Sequence, residues 1–221
     1  MHPVLEGIRL VTFDLDGTLI DSVPDLAVAV DRALDDHGVT GRGEGRVRDW
    51  VGNGSHKLLE RALRDATGEL PAPEVHESAH EAFLHYYGQA PNVKTRLYSG
   101  VREALDVLHG RGFALALVTN KPHAFIAPIL EEFGLSAHFG LCLGGDSLPQ
   151  KKPDPAPLRH VARHFGMDVQ ECLMVGDSRH DIDAGRRAGF RTLAVPYGYN
   201  HGEPVAASRP DAMVESLAEL V

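Results

Sequence analysis

Val11-Thr12-Phe13-Asp14-Leu15-Asp16-Gly17-Thr18-Leu19-Ile20 is the stretch from which the rest of the chain can be read. With Ile8 and Leu10 ahead of it, the run is apolar and β-branched, and it breaks at Gly17-Thr18 where a strand would leave a sheet. Side chains alternate along a strand, so Asp14 and Asp16 project the same way from its carboxyl end. In an open α/β sheet that end is where ligands bind. Two carboxylates so close require a cation, a shared proton or a division of roles. Taken alone, Asp-x-Asp-Gly is equally an aspartate-rich turn, since Asp and Gly are ordinary turn residues.

The composition is that of a globular protein: 221 residues, 43% hydrophobic and 24% charged, enough for one large domain or a domain with an insert. A formal net charge of -9 argues against nucleic acid, whose binders need a dense basic face. An anionic small-molecule substrate would need locally placed cations. Cys142 and Cys172 stand in apolar runs without metal-ligand spacing, which reads as buried thiols in a reducing compartment, with a disulfide as the alternative. No signal-type segment and no apolar run of about 18 residues is present, so the expectation is a cytoplasmic protein without a membrane span.

Ser22-Val23-Pro24-Asp25 has the form of a capping box with an early proline, and Leu26, Val30, Ala33 and Leu34 recur at helical spacing behind it. Between Thr40 and Gly54 the chain is rich in Gly and Arg. Gly52, Asn53 and Gly54 either let a backbone approach a small ligand closely or form a flexible loop beside the packing Trp50. A second helix, 55–68, carries Leu58, Leu59, Ala62 and Leu63 on one stripe, with Lys57, Arg61 and Arg64 on its wet side. Lys57, nearest the glycine loop, is a candidate for a substrate carboxylate. A third helix, about 73–87, is expected to bury Val75, Ala79, Phe83 and Tyr86. It contains His76-Glu77-Ser78-Ala79-His80, an H-E-x-x-H string that is either a zinc-binding face or a solvated one. The amphipathic pattern and the Pro/Gly borders favour the solvated face.

Residues 21–93 therefore read as helices without a strand, an insert into a domain formed by 1–20 and 94–221. From Arg96 onward strands and helices alternate, the signature of a parallel sheet covered on both faces and so of the α/β class. The strand Phe113–Val118 ends in Thr119-Asn120-Lys121-Pro122, where a hydroxyl and backbone amides precede a helix N-terminus, a phosphate cradle. Pro128 predicts a kink in the helix that follows. After a third strand near 139–143 comes Gly144-Gly145-Asp146, then Lys151-Lys152-Pro153-Asp154-Pro155, a proline-stiffened loop able to fix an ammonium. Cys172–Gly176 is a strand that delivers Asp177, with Asp181 one helical turn later. Such hard oxygen ligands suit Mg²⁺. Arg191 to Val195 gives a fifth strand, and Met213, Val214, Leu217 and Leu220 a closing helix.

In this order the strand-end motifs Asp14-Leu15-Asp16-Gly17-Thr18-Leu19, Thr119, Lys152-Pro153 and Gly176-Asp177 through Asp181 resemble those of the haloacid dehalogenase-like hydrolases. The resemblance covers nearly the whole chain. It implies a Rossmann-like parallel five-stranded sheet of order 3-2-1-4-5, with the first strand central and a helical cap inserted after the first motif. It further implies that Asp14 is the nucleophile and Asp16 the acid/base. Mg²⁺ is then held by Asp14, the Asp16 backbone carbonyl and Asp177, with Asp181 through water or behind them. Thr119, Asn120 and Lys152 hold the phosphoryl group, and Thr18 joins the substrate-binding set. The segments 119–122, 144–146, 152–155 and Tyr197-Gly198-Tyr199-Asn200 are most similar to the branch that cleaves 2-phosphoglycolate. A phosphatase or phosphomutase acting on a sugar phosphate or nucleotide is the alternative within the family. A phospho-accepting signalling module is the alternative outside it, although such a module has no use for Asp16 or for a cap. The resemblance leaves a monomer or a small homo-oligomer open.

Overall fold

The computed structural model describes all 221 residues. Its strands in chain order are β1 (Leu10–Phe13), β2 (Ile20–Asp21), β3 (Arg96–Leu97), β4 (Ala114–Val118), β5 (Leu141–Leu143), β6 (Cys172–Gly176), β7 (Arg191–Ala194) and β8 (Ala212–Met213). Six of them form one parallel sheet in the order β5-β4-β1-β6-β7-β8. The first five sheet strands in the chain thus follow the expected order, with β1 inside. The sixth, β8, falls where the sequence pattern suggested a closing helix. Ala212 and Met213 pair with Leu193 and Ala194 at the sheet edge, and only Leu217–Leu220 turn, as a 3-10 helix.

The sheet is buried because both of its faces are covered. Val11 and Phe13 of β1 point into one apolar cluster with Leu117, Val175 and Leu105, while Leu10 points into another with Val118, Met174 and Leu158. Helices α5 (Val101–Gly110) and α6 (Ile126–Glu132) supply the first layer, α7 (Ala156–Phe165) and α8 (Arg179–Ala188) the second. Pro128 produces no kink, since a 3-10 turn at His123–Phe125 precedes α6 and places the proline in its first turn, where a missing N–H costs nothing. Cys142 on β5 and Cys172 on β6 are free thiols separated by two intervening strands; Cys142 is half-buried.

Between β2 and β3, which pair antiparallel as a two-residue neck, the chain builds α1 (Val23–Asp35), α2 (Gly43–Arg48), α3 (Ser55–Thr67) and α4 (Pro73–Gln89). Four helices stand where the pattern suggested three. The extra one lies in the Gly/Arg stretch, and its start is capped by Asp31, which accepts from the Arg42 and Gly43 amides at 2.7 and 3.2 Å. These helices share a core of their own, centred on Val30, Leu34, Leu59, Phe83 and Tyr87. On α4 the buried stripe runs through Ala79, His80, Phe83 and Tyr87, not Val75 and Tyr86. Tyr86 instead sends its hydroxyl to Asp36 at 2.7 Å. The neck is pinned by Asp25, whose carboxylate accepts from Lys94 N, Thr95 N and Thr95 Oγ1 at 2.7–3.1 Å.

Candidate active site

β1, β4 and β6 are parallel neighbours, so the loops that leave them open on one edge of the sheet. Phe13 hands over to Asp14 and Asp16, Val118 to Thr119, Asn120 and Lys121, and Gly176 to Asp177. Lys152, from the loop after β5, reaches into the same space. Its Nζ lies 2.9 Å from Asp14 Oδ1 and 2.6 Å from Asp181 Oδ1, with its side chain 1% exposed. Burial pulls this ammonium's pKa down, but Asp14 and Asp181 outweigh that and leave it raised. It is charged at any working pH.

Each carboxylate here is oriented by further donors, local for Asp14 and Asp181 and distant in sequence for Asp177. Asp177 takes the Thr18 hydroxyl on Oδ1 and the Tyr199 amide on Oδ2, both at 2.6 Å. Asp181 sits in the first turn of α8, where its Oδ2 accepts from Ser178 N at 3.0 Å and Ser178 Oγ at 2.7 Å. Asp14 accepts from Leu15 N at 2.7 Å. Gly17 has φ +89°, and a Cβ there would strike the Asp177 carboxylate, so the position needs glycine for both conformation and space.

Oxygens of Asp14, Asp177 and Asp181 all lie within 4.8 Å of one another. Burial pushes Asp14 up to about 7, with Lys152 opposing and Asp181 and Asp16 adding to the rise. Asp177 is also held well above the usual carboxylate range, by burial first and then by Asp181 and Asp14. One lysine cannot compensate three buried carboxylates, so the ionised cluster calls for a further cation. Its donors are all hard oxygens with no thiolate or imidazole among them, a set that fits a divalent ion such as Mg²⁺.

The Asp16 side chain turns away from this cluster. It accepts from Ser22 Oγ at 2.5 Å and from Lys121 Nζ at 2.9 and 3.3 Å. Ser22 donates its hydroxyl to Asp16 and makes no side-chain capping bond to α1, the role its sequence suggests. Asp14 and Asp16 thus share a cavity of about 40 Å³ but face different lysines.

That cavity lies between the sheet edge and the helical insert, and Gly52 and Gly54 line it. The other expected contacts are used differently. Asn53 donates from Nδ2 to His180 Nε2 at 2.7 Å and does not line the cavity. Asn120 lines it, but its Nδ2 is committed to Gly52 O at 2.9 Å and Lys152 O at 3.0 Å, so it ties two loops together. Thr18 is fully buried on Asp177, while Thr119 is at the cavity wall. Lys57 is exposed and paired with Glu60 at 2.5 Å, and the lysine that reaches the insert's glycine loop is Lys151, on Asn53 O at 3.0 Å. His80 is buried against Ser55 Oγ at 2.8 Å and stacked on His56, and with His76 it joins no cluster of three metal-ligating groups. The H-E-x-x-H helix is therefore neither a zinc face nor wholly solvated.

Sequence reasoning missed Lys121, Ser22 and Tyr199. Lys121 stands inside the quoted Thr-Asn-Lys-Pro string. Its place directly after the strand-end Thr119-Asn120 was the available signal. Tyr199 links the site to the neck, with its amide on Asp177 and its hydroxyl donating to Asp21 and accepting from Ser22 N. No spacing pattern in the sequence announces it.

Known proteins resemble this chain over nearly its whole length. A family model for haloacid dehalogenase-like hydrolases matches residues 8–189. The phosphoglycolate phosphatase of Vibrio vulnificus strain CMCP6 is 47% identical over 98% of this chain and 96% of its own. That of Pseudomonas fluorescens strain Pf0-1 is 47% identical over 96% of this chain and 78% of its own. The crystal structure of a predicted phosphoglycolate phosphatase from Haemophilus somnus 129pt superposes with a TM-score of 0.93 at 39% identity, covering 97% of this chain and 96% of that one.

Proposed function

The chain belongs to the haloacid dehalogenase-like hydrolases and is a phosphatase of that family; from that premise we propose that it cleaves 2-phosphoglycolate to glycolate and phosphate, with Asp14 as nucleophile. The observation that carries this reading is the division of the site. Asp14 lines the cavity and is grouped with Lys152, Asp177 and Asp181, and Asp16 lines it apart from them beside Lys121.

Asp14 attacks phosphorus in line and forms an aspartyl-phosphate. Asp16, outside the metal cluster and within the cavity, protonates the departing alkoxide. It then takes a proton from the water that hydrolyses the acyl phosphate. Lys152, fixed by Asp14 and Asp181, holds a phosphoryl oxygen, and Thr119 offers its hydroxyl at the cavity wall. Mg²⁺ would be held by Asp14, the Asp16 carbonyl and Asp177, with Asp181 behind, and would neutralise charge on the phosphoryl oxygens. Residues 21–93 serve as the cap, which excludes water and selects the substrate. A cavity of about 40 Å³ suits a two-carbon substituent better than a sugar ring or a nucleoside.

The test is a panel of 2-phosphoglycolate, hexose phosphates and nucleoside monophosphates assayed with Mg²⁺. The expected outcome is 2-phosphoglycolate ahead by at least about tenfold in kcat/KM, with turnover lost in excess EDTA and not restored by zinc alone. A hexose phosphate or nucleotide ahead by that margin, or full activity without metal, would overturn the reading.

A further inference from the structure

Lys121 lies on the leaving-group side of the cavity and is the only cationic side chain lining it. Its residue is 6% exposed, in contrast to the solvated lysines of the surface. The Asp16 carboxylate engages one edge of its ammonium at 2.9 and 3.3 Å, and the Tyr87 ring lies beneath it with the centroid 4.6 Å from Nζ. An ammonium has three N–H donors, so these neighbours do not exhaust it. The second lysine of the site, Lys152, is bound to Asp14 and Asp181 and shares no carboxylate with Lys121.

Tyr87 supplies an independent observation. It is 1% exposed, it lines the same cavity, and its hydroxyl has no hydrogen-bond partner. Buried hydroxyls are nearly always paired, and an orphan at the wall of a cavity marks a place for a ligand atom. The remaining walls on the insert side are apolar, among them Leu26, Leu58 and Phe83. In such surroundings an anionic substituent is admitted only where a cation and a donor meet it.

Building on the phosphatase reading above, we propose that Lys121 and Tyr87 form a carboxylate subsite that recognises the acidic end of the substrate's leaving group and so selects short phosphate esters bearing a carboxylate. The reach is consistent. Asp16 as proton donor stands roughly 2.6–3.2 Å from the ester oxygen. Lys121 is one hydrogen bond further along, where the carboxylate of a two-carbon ester falls. Lys152 and the metal-cluster carboxylates deal with the phosphoryl group, which every phosphate ester carries. Lys121 and Tyr87 deal with the part that differs between esters.

The experiment compares 2-phosphoglycolate with ethyl phosphate, which has a methyl in place of the carboxylate, in wild type, Lys121→Met and Tyr87→Phe. Wild type should prefer the carboxylated ester. Lys121→Met should cut that preference, read as the ratio of the two kcat/KM values, by at least about 30-fold, mainly through a higher KM. Tyr87→Phe should cut it by about tenfold. The ratio cancels any effect of Lys121 on Asp16, which would slow both esters alike. Equal slowing of both esters, or an unchanged ratio in Tyr87→Phe should Lys121→Met fail to fold, would overturn the subsite. So would wild type with no preference for the carboxylate. Continued Mg²⁺-dependent hydrolysis of ethyl phosphate in that case would leave the phosphatase reading standing, whereas no turnover of any ester would remove the reading itself.

Discussion

The two walls of the cavity are built on different principles. On the sheet side Asp14 lines the cavity and groups with Asp177 and Asp181 beyond the wall, each of them held in place: Asp177 by Thr18 and Tyr199, Asp181 by Ser178 and Lys152, Asp14 by Leu15 and Lys152. On the insert side the wall is mostly apolar, its polar side chains are few, and Tyr87 has an unmatched hydroxyl. The first wall is preorganised for one reaction, since its charges are placed before substrate arrives and need no rearrangement when it does. The second is a packed surface with few fixed demands, the kind that can change its substrate without changing the chemistry. The contrast also locates strain. The sheet wall concentrates buried carboxylates that destabilise one another, while the insert wall carries none of that cost.

The sharpest way to break this contrast is Asp14→Asn. Turnover should vanish, because the nucleophile is gone, yet the metal-free protein should become more stable. Asp14 has a folded pKa of about 7, raised above its ordinary value by burial. Its contribution to stability is therefore fully present below the unfolded pKa and is lost as pH rises through about 7. In metal-free samples the variant's advantage in Tm should be larger at pH 8 than at pH 5, by roughly 2–4 °C for each kcal/mol relieved. Mg²⁺ should raise the wild-type Tm most at the higher pH, where Asp14 is ionised. A variant less stable than wild type at pH 8, or a metal effect independent of pH, would show that the carboxylates do not repel as described.

A smaller effect is expected at the seam between the walls. Asn53 joins the insert's glycine loop to His180, next to Asp181, and burial holds the His180 ring neutral by lowering its pKa to about 4. Asn53→Ala removes one hydrogen bond, worth about 0.5–1.5 kcal/mol. KM should rise several-fold with kcat nearly unchanged. A large loss of kcat with unchanged KM would instead put Asn53 in the chemistry of the sheet wall.

How much of this was legible in the sequence follows the same division. The sheet wall was readable because parallel strands fix where their ends lie. Asp14, Thr119, Lys152, Asp177 and Asp181 needed only strand order to converge. β8 was missed because two residues carry almost no periodic signal, and Met213-Val214 with Leu217 and Leu220 fit helical spacing as well as a strand followed by a turn. The hydrogen bonds of Thr18 and Asn53 were not legible because each side chain meets a partner far away in sequence, Asp177 and His180. Lys57 looked close to the site along the chain but projects from the solvent side of α3. Tyr87 was passed over for Tyr86 because a one-residue shift in helical phase decides which tyrosine faces the core, and the amphipathic pattern of α4 is too weak to set that phase.

The most direct test of the central claim, that Asp14 accepts the phosphoryl group and Asp16 handles the protons, uses Asp16→Asn with p-nitrophenyl phosphate and Mg²⁺ in a rapid-quench experiment. A nitrophenolate leaving group needs little protonation, so the first step should proceed. The second, without its base, should slow by about 10²–10⁴. A burst of about one equivalent of nitrophenolate should appear, with a phosphoryl group on the protein detected by intact mass and absent from Asp14→Asn. No phosphoprotein in Asp16→Asn, or a burst from Asp14→Asn, would contradict the assignment of the two aspartates.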